Sequence, residues 1–196
     1  MICLGITGGI GSGKTYIARI FETLGVPCYY SDDRTKQLYA SCKDLQESLN
    51  HVLGEPVYRD GQLDNRRMAA LIFNDPVLLE KVNALVHPLV WLHFKEWAAN
   101  QTAPYVLFES AILLEIQPPL PVDKVLTVSG PTDLRLQRVC ERSGFPREAV
   151  LERMRCQWTD AQRESKADFV IVSDEKQALL PRVLSIHRQM LCLCDS

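Results

Sequence analysis

The clearest chemistry in the chain lies in Gly8-Gly9-Ile10-Gly11-Ser12-Gly13-Lys14-Thr15, which fits the pattern G-x-x-x-x-G-K-[ST] in full. Glycines let a backbone curl tightly around an anion, so that successive N–H groups point at phosphate oxygens. A helix opening at the end of the loop adds its partial positive charge. Lys14 can reach the β- and γ-phosphates as a point charge, and the Thr15 hydroxyl suits Mg²⁺. Gly9, Ile10, Gly11, Ser12, Gly13, Lys14, Thr15 and Tyr16 are therefore the expected ATP-binding stretch, with Thr15 as the expected metal ligand. Switch proteins, ATPases and kinases share such a loop, so it announces a nucleotide polyphosphate and leaves the reaction open. No Asn-Lys-x-Asp guanine reader occurs, which argues against a GTPase.

Carboxylates come next. Ser31-Asp32-Asp33 follows a short apolar run, Val26–Tyr30, that reads as a strand. Ligand-contacting groups gather beyond the carboxyl ends of parallel strands. Asp32 there would accept the proton of an attacking hydroxyl, or it would cap the helix that follows; position alone does not choose. Glu109 closes another apolar run and is placed to hold Mg²⁺ through water. Glu115 reads as a surface residue. His87, before Pro88 in an apolar helical stretch, reads as a satisfied core histidine, with no partner at metal-ligand spacing.

Arg135, Arg138, Arg142, Arg147, Arg153, Arg155 and Arg163 crowd one segment. Glu141, Glu148 and Glu152 are interleaved among them, so most of these arginines should be solvated. A transferring phosphoryl group nevertheless needs guanidinium groups against its equatorial oxygens. Arg138 and Arg142, four apart, share a helix face. Gly144 and Pro146 flank a hinge, which suits a lid that closes over phosphates and excludes water.

The elements that must position these groups follow from periodicity. Ile2–Thr7, Val26–Tyr30, Tyr105–Phe108, Val125–Val128 and Phe169–Val172 read as strands, separated by helices from Lys14 to about Leu24 and from Pro131 to Arg142. Gly25 is a plausible C-cap of the first. Asp32 to about Asn100 reads as mostly helical, with a helix start at Asp75-Pro76 and a kink or break at Pro88. A charged helical segment extends to about Lys166, and an amphipathic helix over Glu175–Leu193 closes the chain. Strand–loop–helix–strand order favours a doubly wound parallel sheet.

Composition agrees with one globular core. The chain has 196 residues, 46% hydrophobic and 23% charged. A net charge of −2 argues against a nucleic-acid binder. Seven cysteines, an odd number without a C-x-x-C pair, read as reduced packing residues. No apolar run is long enough for a membrane span and no signal peptide opens the chain, so a cytoplasmic monomer or small homo-oligomer is expected.

Beyond these single features, ordered blocks resemble the dephospho-coenzyme A kinases. They are Thr7–Thr15, Ser31-Asp32, Asn83–Val90 around His87-Pro88, Val106–Glu115, Leu136–Arg142 with its arginine-x-x-x-arginine spacing, Gln157 with Arg163, and Ala167–Ile171. They span about residues 2–172. The resemblance implies an α/β P-loop NTPase fold: a five-stranded parallel sheet flanked by helices, with a helical acceptor-binding insertion and a helical lid. It implies a single domain with a nucleotide core (about 1–40, 104–138 and 167–196), a coenzyme A arm (about 41–103) and a lid (about 139–166). The implied reaction moves a phosphoryl group from Mg-ATP to the ribose 3′-hydroxyl of dephospho-coenzyme A. Asp32 would be the base, Lys14 and Arg142 the catalytic cations, and Asp32, His87 and Glu109 the acceptor-side residues. The family pattern is departed from at three places: Tyr30 stands for an acid, Ala111 for a proline, and Ser173-Asp174-Glu175 for Asn-x-Gly. Another small-molecule kinase, for a nucleoside monophosphate or a sugar, and a non-catalytic nucleotide-binding module remain the rival expectations.

Overall fold

A computed structural model describes residues 1–72 and 75–194. Five short strands form one parallel sheet: β1 (Ile2–Thr7), β2 (Cys28–Tyr30), β5 (Tyr105–Glu109), β6 (Lys124–Ser129) and β7 (Phe169–Val172), in the spatial order β2-β5-β1-β6-β7. Every pairing is parallel, with Ile6 opposite Glu109, Tyr30 opposite Glu109 and Thr7 opposite Thr127. Apolar runs without alternation form these strands because both sheet faces are covered. β1 sits in the middle, so the loop leaving its carboxyl end emerges between neighbours on both sides, where open α/β sheets bind ligands.

Helix α1 (Lys14–Thr23) starts at the end of the glycine-rich loop and buries Ile17, Ala18 and Phe21. Its end follows the glycine rule: Gly25 stands just past the last turn at φ 84° and donates to the carbonyl of Glu22 at 3.0 Å. Together with α9 (Leu179–Cys194), α1 covers one sheet face, where Leu4, Ile6, Phe21, Leu107, Leu126, Ile171, Val183 and Met190 form the main core. α6 (Thr132–Ser143) and α7 (Arg147–Arg155) build a second, smaller core from Leu136, Val139 and Val150, against which Ile10 packs. α8 (Asp160–Glu164) is a single capped turn whose start is fixed by a reciprocal Thr159–Gln162 box.

The chain divides into two units, Met1–Tyr30 with Asn100–Ser196, and Ser31–Ala99. The second unit holds α2 (Ser31–Ser41), α3 (Lys43–Leu53), α4 (Asn65–Ile72) and α5 (Pro76–Ala99), with a two-rung antiparallel ladder of β3 (Tyr58–Arg59) and β4 (Gln62–Leu63). Val82, Val86, Val90, Phe94 and Ala98 recur every four residues along α5 and are buried. Asp75 caps α5, accepting from the Leu78 amide at 2.9 Å, with Pro76 first in the helix as its sequence suggests. In the same unit Glu55 and Arg67 pair as ions.

Several expectations need correction. α5 runs unbroken through Pro88, because its apolar stripe continues past the proline and packing holds both halves in one helix. The mostly helical stretch also contains the β3–β4 hairpin; its turn, Asp60-Gly61, has two positive-φ residues, a signal that two-residue strands leave too faint to read from sequence. The segment after Arg142 is two short helices, α7 and α8, rather than one. The closing helix begins at Leu179, since Asp174 turns the preceding chain by accepting from the Lys176 amide at 3.0 Å and the Gln177 amide at 3.3 Å. Of the seven cysteines only Cys3 and Cys28 are buried; Cys156 and Cys192 are exposed, and none forms a disulfide. No described helix is long and apolar enough to cross a membrane.

Candidate active site

Strand register brings the first two functional groups together. Glu109, last in β5, lies opposite Ile6, two residues before the loop begins. The ammonium of Lys14 stands 3.4 Å from its Oε1, and Glu109 is only 4% exposed. A carboxylate in so dry a place needs a cation beside it, so the pair fixes where the lysine waits.

In front of them opens a cavity of about 210 Å³. Ile10, Gly11, Ser12, Gly13, Lys14, Thr15 and Tyr16 line one side; Arg138, Val139 and Arg142 line the other. The helix spacing of the two arginines puts both on the wall facing the loop. Gly9 stands apart from this lining. A Cβ on it would lie 2.1 Å from Nη2 of Arg135, so any larger residue would push that guanidinium out of its place. Gly11 is constrained twice, by φ 78° and by the Arg135 carbonyl 2.4 Å from where a Cβ would stand. The hydroxyl of Ser12 is buried within the loop and has no hydrogen-bond partner among the described residues. A buried donor without a protein partner, set in a ring of glycines, has the chemistry of an anion site.

The loop itself is held by residues far away in sequence. The amide of Ile10 donates to Oε1 of Gln157 at 2.9 Å, and its carbonyl accepts from Nε of Arg135 at 3.1 Å. Arg135 Nη1 also donates to both carboxylate oxygens of Asp160, each at 2.9 Å. Asp160 accepts in addition from the Gly130 amide at 3.2 Å. Next to it, Arg163 is wholly buried and donates to Glu115 at 2.7 Å and to the Trp158 carbonyl. Glu115 further accepts from the Trp158 amide at 3.3 Å. Glu115 is thus no plain surface residue, and Arg135 and Arg163 are not part of a solvated face. Their interleaved glutamates suggested solvent, but the partners that bury them come from other elements, which local spacing does not reveal.

Asp32 and His87 lie in the other unit. Asp32 is exposed in the first turn of α2, two residues past the end of β2. It makes no side-chain hydrogen bond or ion pair among the described residues; Asp33 is the one that pairs with Lys36, at 2.9 Å. His87 is half-buried on α5, and burial pushes its imidazole below the usual range. Among the described residues no group of three acidic, histidine or cysteine side chains has metal-cage geometry. A nucleotide-bound Mg²⁺ does not need one, since it takes most of its oxygens from phosphate and water. The hard oxygen donors Thr15 and Glu109, both in this unit at the loop, suit that ion.

A central parallel strand running into a phosphate loop, with a lysine at the helix start and arginines across the cavity, defines a P-loop NTPase. Sequence comparison then narrows the class. The profile CoaE, dephospho-CoA kinase, matches residues 2–178. The dephospho-CoA kinase of Bacteroides fragilis (strain YCH46) is 34% identical over 200 residues, covering 100% of this chain and 98% of the relative. That of Porphyromonas gingivalis is 36% identical over 187 residues, covering 95% and 93%. Among solved structures, TT1252 from Thermus thermophilus superposes with a TM-score of 0.85 at 33% identity, over 97% of both chains. The dephospho-CoA kinase of Campylobacter jejuni, at 18% identity and a TM-score of 0.57, shares the fold over 96% of both chains. The chain belongs to the dephospho-CoA kinase family and is a kinase, a transferase that uses ATP.

Proposed function

We propose that this protein transfers the γ-phosphoryl group of ATP to the ribose 3′-hydroxyl of dephospho-coenzyme A, giving coenzyme A. The observation that carries the reading is the Lys14–Glu109 pair at the mouth of the loop, with Arg138 and Arg142 on the facing wall. In this reading the polyphosphate lies along Gly9–Tyr16, its charge met by loop amides, the α1 N-terminus and Lys14. Arg142 meets the equatorial oxygens of the group in transfer. Mg²⁺ would be held by Thr15, with Glu109 reaching it through water; it supplies charge neutralisation at the phosphates.

Asp32 is the base. Its carboxylate is exposed and has no side-chain partner among the described residues, so it is available to take the proton of the attacking 3′-hydroxyl. His87 and Glu109 belong to the acceptor side. Residues of about 41–103 form the arm that receives the coenzyme A moiety, and about 139–166 form the lid, whose closure excludes water and suppresses idle hydrolysis. Reaction in the cytoplasm is part of the same reading.

A coupled assay of ADP formation tests it, run with dephospho-coenzyme A, coenzyme A, AMP, a free sugar and no acceptor. The expected result is ADP release that depends on dephospho-coenzyme A, with one ADP per coenzyme A formed. Equal release without acceptor, or a clear preference for AMP or sugar, contradicts the assignment.

A further inference from the structure

The cations around the nucleotide cavity are not equivalent. Lys14 has Glu109. Arg138 has Glu175, whose Oε1 accepts from Nη2 at 2.8 Å and from Nε at 3.3 Å. The remaining arm of the Arg138 fork, Nη1, donates to Ser173 Oγ at 3.1 Å and lies 3.4 Å from the Ser173 carbonyl. Arg142, one turn further along α6, makes no ion pair or hydrogen bond with a described residue and is exposed.

Glu175 reaches this position at a conformational cost. Its φ is 61°, the left-handed region that a residue with a Cβ rarely enters. The chain on both sides is pinned. Ser173 donates its amide to the Ser129 carbonyl at 2.8 Å, and Asp174 accepts from the Lys176 and Gln177 amides. Strain of this kind persists only where the surroundings over-determine it, and it points from geometry to use. The arginine it holds stands over the start of α1: a Cβ placed on Gly13 would be 3.4 Å from Ser173 Oγ and 4.0 Å from Arg138 Nη1. Another full positive charge beside Lys14 and a helix N-terminus is unfavourable unless a carboxylate answers it.

We propose that Glu175 is a positioning residue which holds Arg138 as a charge-neutralised wall of the nucleotide cavity, so that Arg142 is the guanidinium left to engage the polyphosphate. Arg138 then shapes the cavity and does not compete for phosphate oxygens. Its fixed fork sets the width of the slot above Gly13, while Glu175 sets how strongly the site draws polyanions. This rests on the nucleotide-site reading above and extends it.

The test is titration calorimetry of ADP, inorganic tripolyphosphate and adenosine at several salt concentrations. It compares the wild-type chain with Glu175→Gln, Glu175→Gly and the double variant Arg138→Gln/Glu175→Gln. Freeing one exposed charge should tighten tripolyphosphate and ADP roughly two- to fivefold in both single variants, with a steeper salt dependence. Adenosine, which carries no phosphate, should not gain. The double variant should lose the gain. Glycine accepts φ 61° without strain, so Glu175→Gly keeps the fold and separates charge release from unfolding. Unchanged phosphate affinity in the single variants overturns the inference, as does a gain that survives in the double variant or that adenosine shares. If the wild-type chain bound neither ADP nor tripolyphosphate, the nucleotide-site reading would fall with it; normal wild-type binding with indifferent variants would remove this inference alone.

Discussion

The guanidinium of Arg135 donates from Nε to the carbonyl of Ile10 at 3.1 Å, while the amide of the same Ile10 donates to Gln157 at 2.9 Å. The phosphate loop is therefore gripped by its backbone from α6 itself, through Arg135, and from the segment that follows α7, through Gln157. Preorganised donors cost no rearrangement when the ligand binds, which is what a site for a highly charged group requires. The grip depends in turn on Asp160, and Asp160 sits beside the buried Arg163–Glu115 pair.

Removing Arg163 should therefore unsettle more than its own pocket. It is wholly buried, and Arg163→Met leaves Glu115 in a half-buried place without its cation. Breaking a buried pair on one side costs about 3–5 kcal/mol. Urea unfolding of the variant should show a loss of that order, and Arg163→Lys should recover little, since the two bonds are made by separate nitrogens, Nη1 and Nη2, of a rigid fork that a single ammonium nitrogen does not reproduce. A loss under about 1 kcal/mol would mean that the pair is dispensable.

Glycines inside and outside the loop should respond differently. Gly11 and Gly25 both have positive φ, 78° and 84°. A Cβ on Gly11 would strike the Arg135 carbonyl at 2.4 Å, whereas nothing lies within 4 Å of one on Gly25. Gly25→Ala should cost only the left-handed penalty, about 1–2 kcal/mol, and leave nucleotide binding intact. Gly11→Ala should cost more and also abolish ADP binding, because backbone must move to relieve the contact. Thermal melts with and without ADP check both; equal effects at the two glycines would contradict the account.

How much of this was written in the order of residues is uneven. The five parallel strands were legible because each is an apolar run between helix signals, and the phosphate loop because its glycines, lysine and threonine stand at fixed local spacing. Asp75-Pro76 announced the start of α5 for the same reason. What escaped depends on distance. Nothing near Glu115 shows that Arg163 will reach it from 48 residues away. Nothing near Arg135 shows that it will bury itself against Ile10. Charge patterning reports what solvent would favour locally, and a buried network overrules it. Pro88 escaped in the opposite sense: a strong local breaker was outvoted by the four-residue stripe of α5, whose packing lies beyond the reach of propensity.

Acid should weaken the fold through histidine. Burial lowers the imidazole pKa of both His87 and His187 below the ordinary value of 6.5. The unfolded chain then takes up protons first as pH falls, so stability is greatest above about pH 6.5 and declines as pH drops through the lowered folded values. Melting temperature should fall between pH 7 and pH 5, and His87→Gln should flatten part of that slope. An unchanged slope in the variant would show that His87 does not contribute.

The central claim is that Asp32 takes the proton from the acceptor hydroxyl, and Asp32→Asn addresses it most directly. The amide keeps the size of the side chain and removes its basicity. Steady-state turnover with dephospho-coenzyme A should fall by about 10²- to 10⁴-fold, while ADP affinity, set by the loop and Lys14, stays at the wild-type value. Turnover at the wild-type rate in the variant would contradict the mechanism.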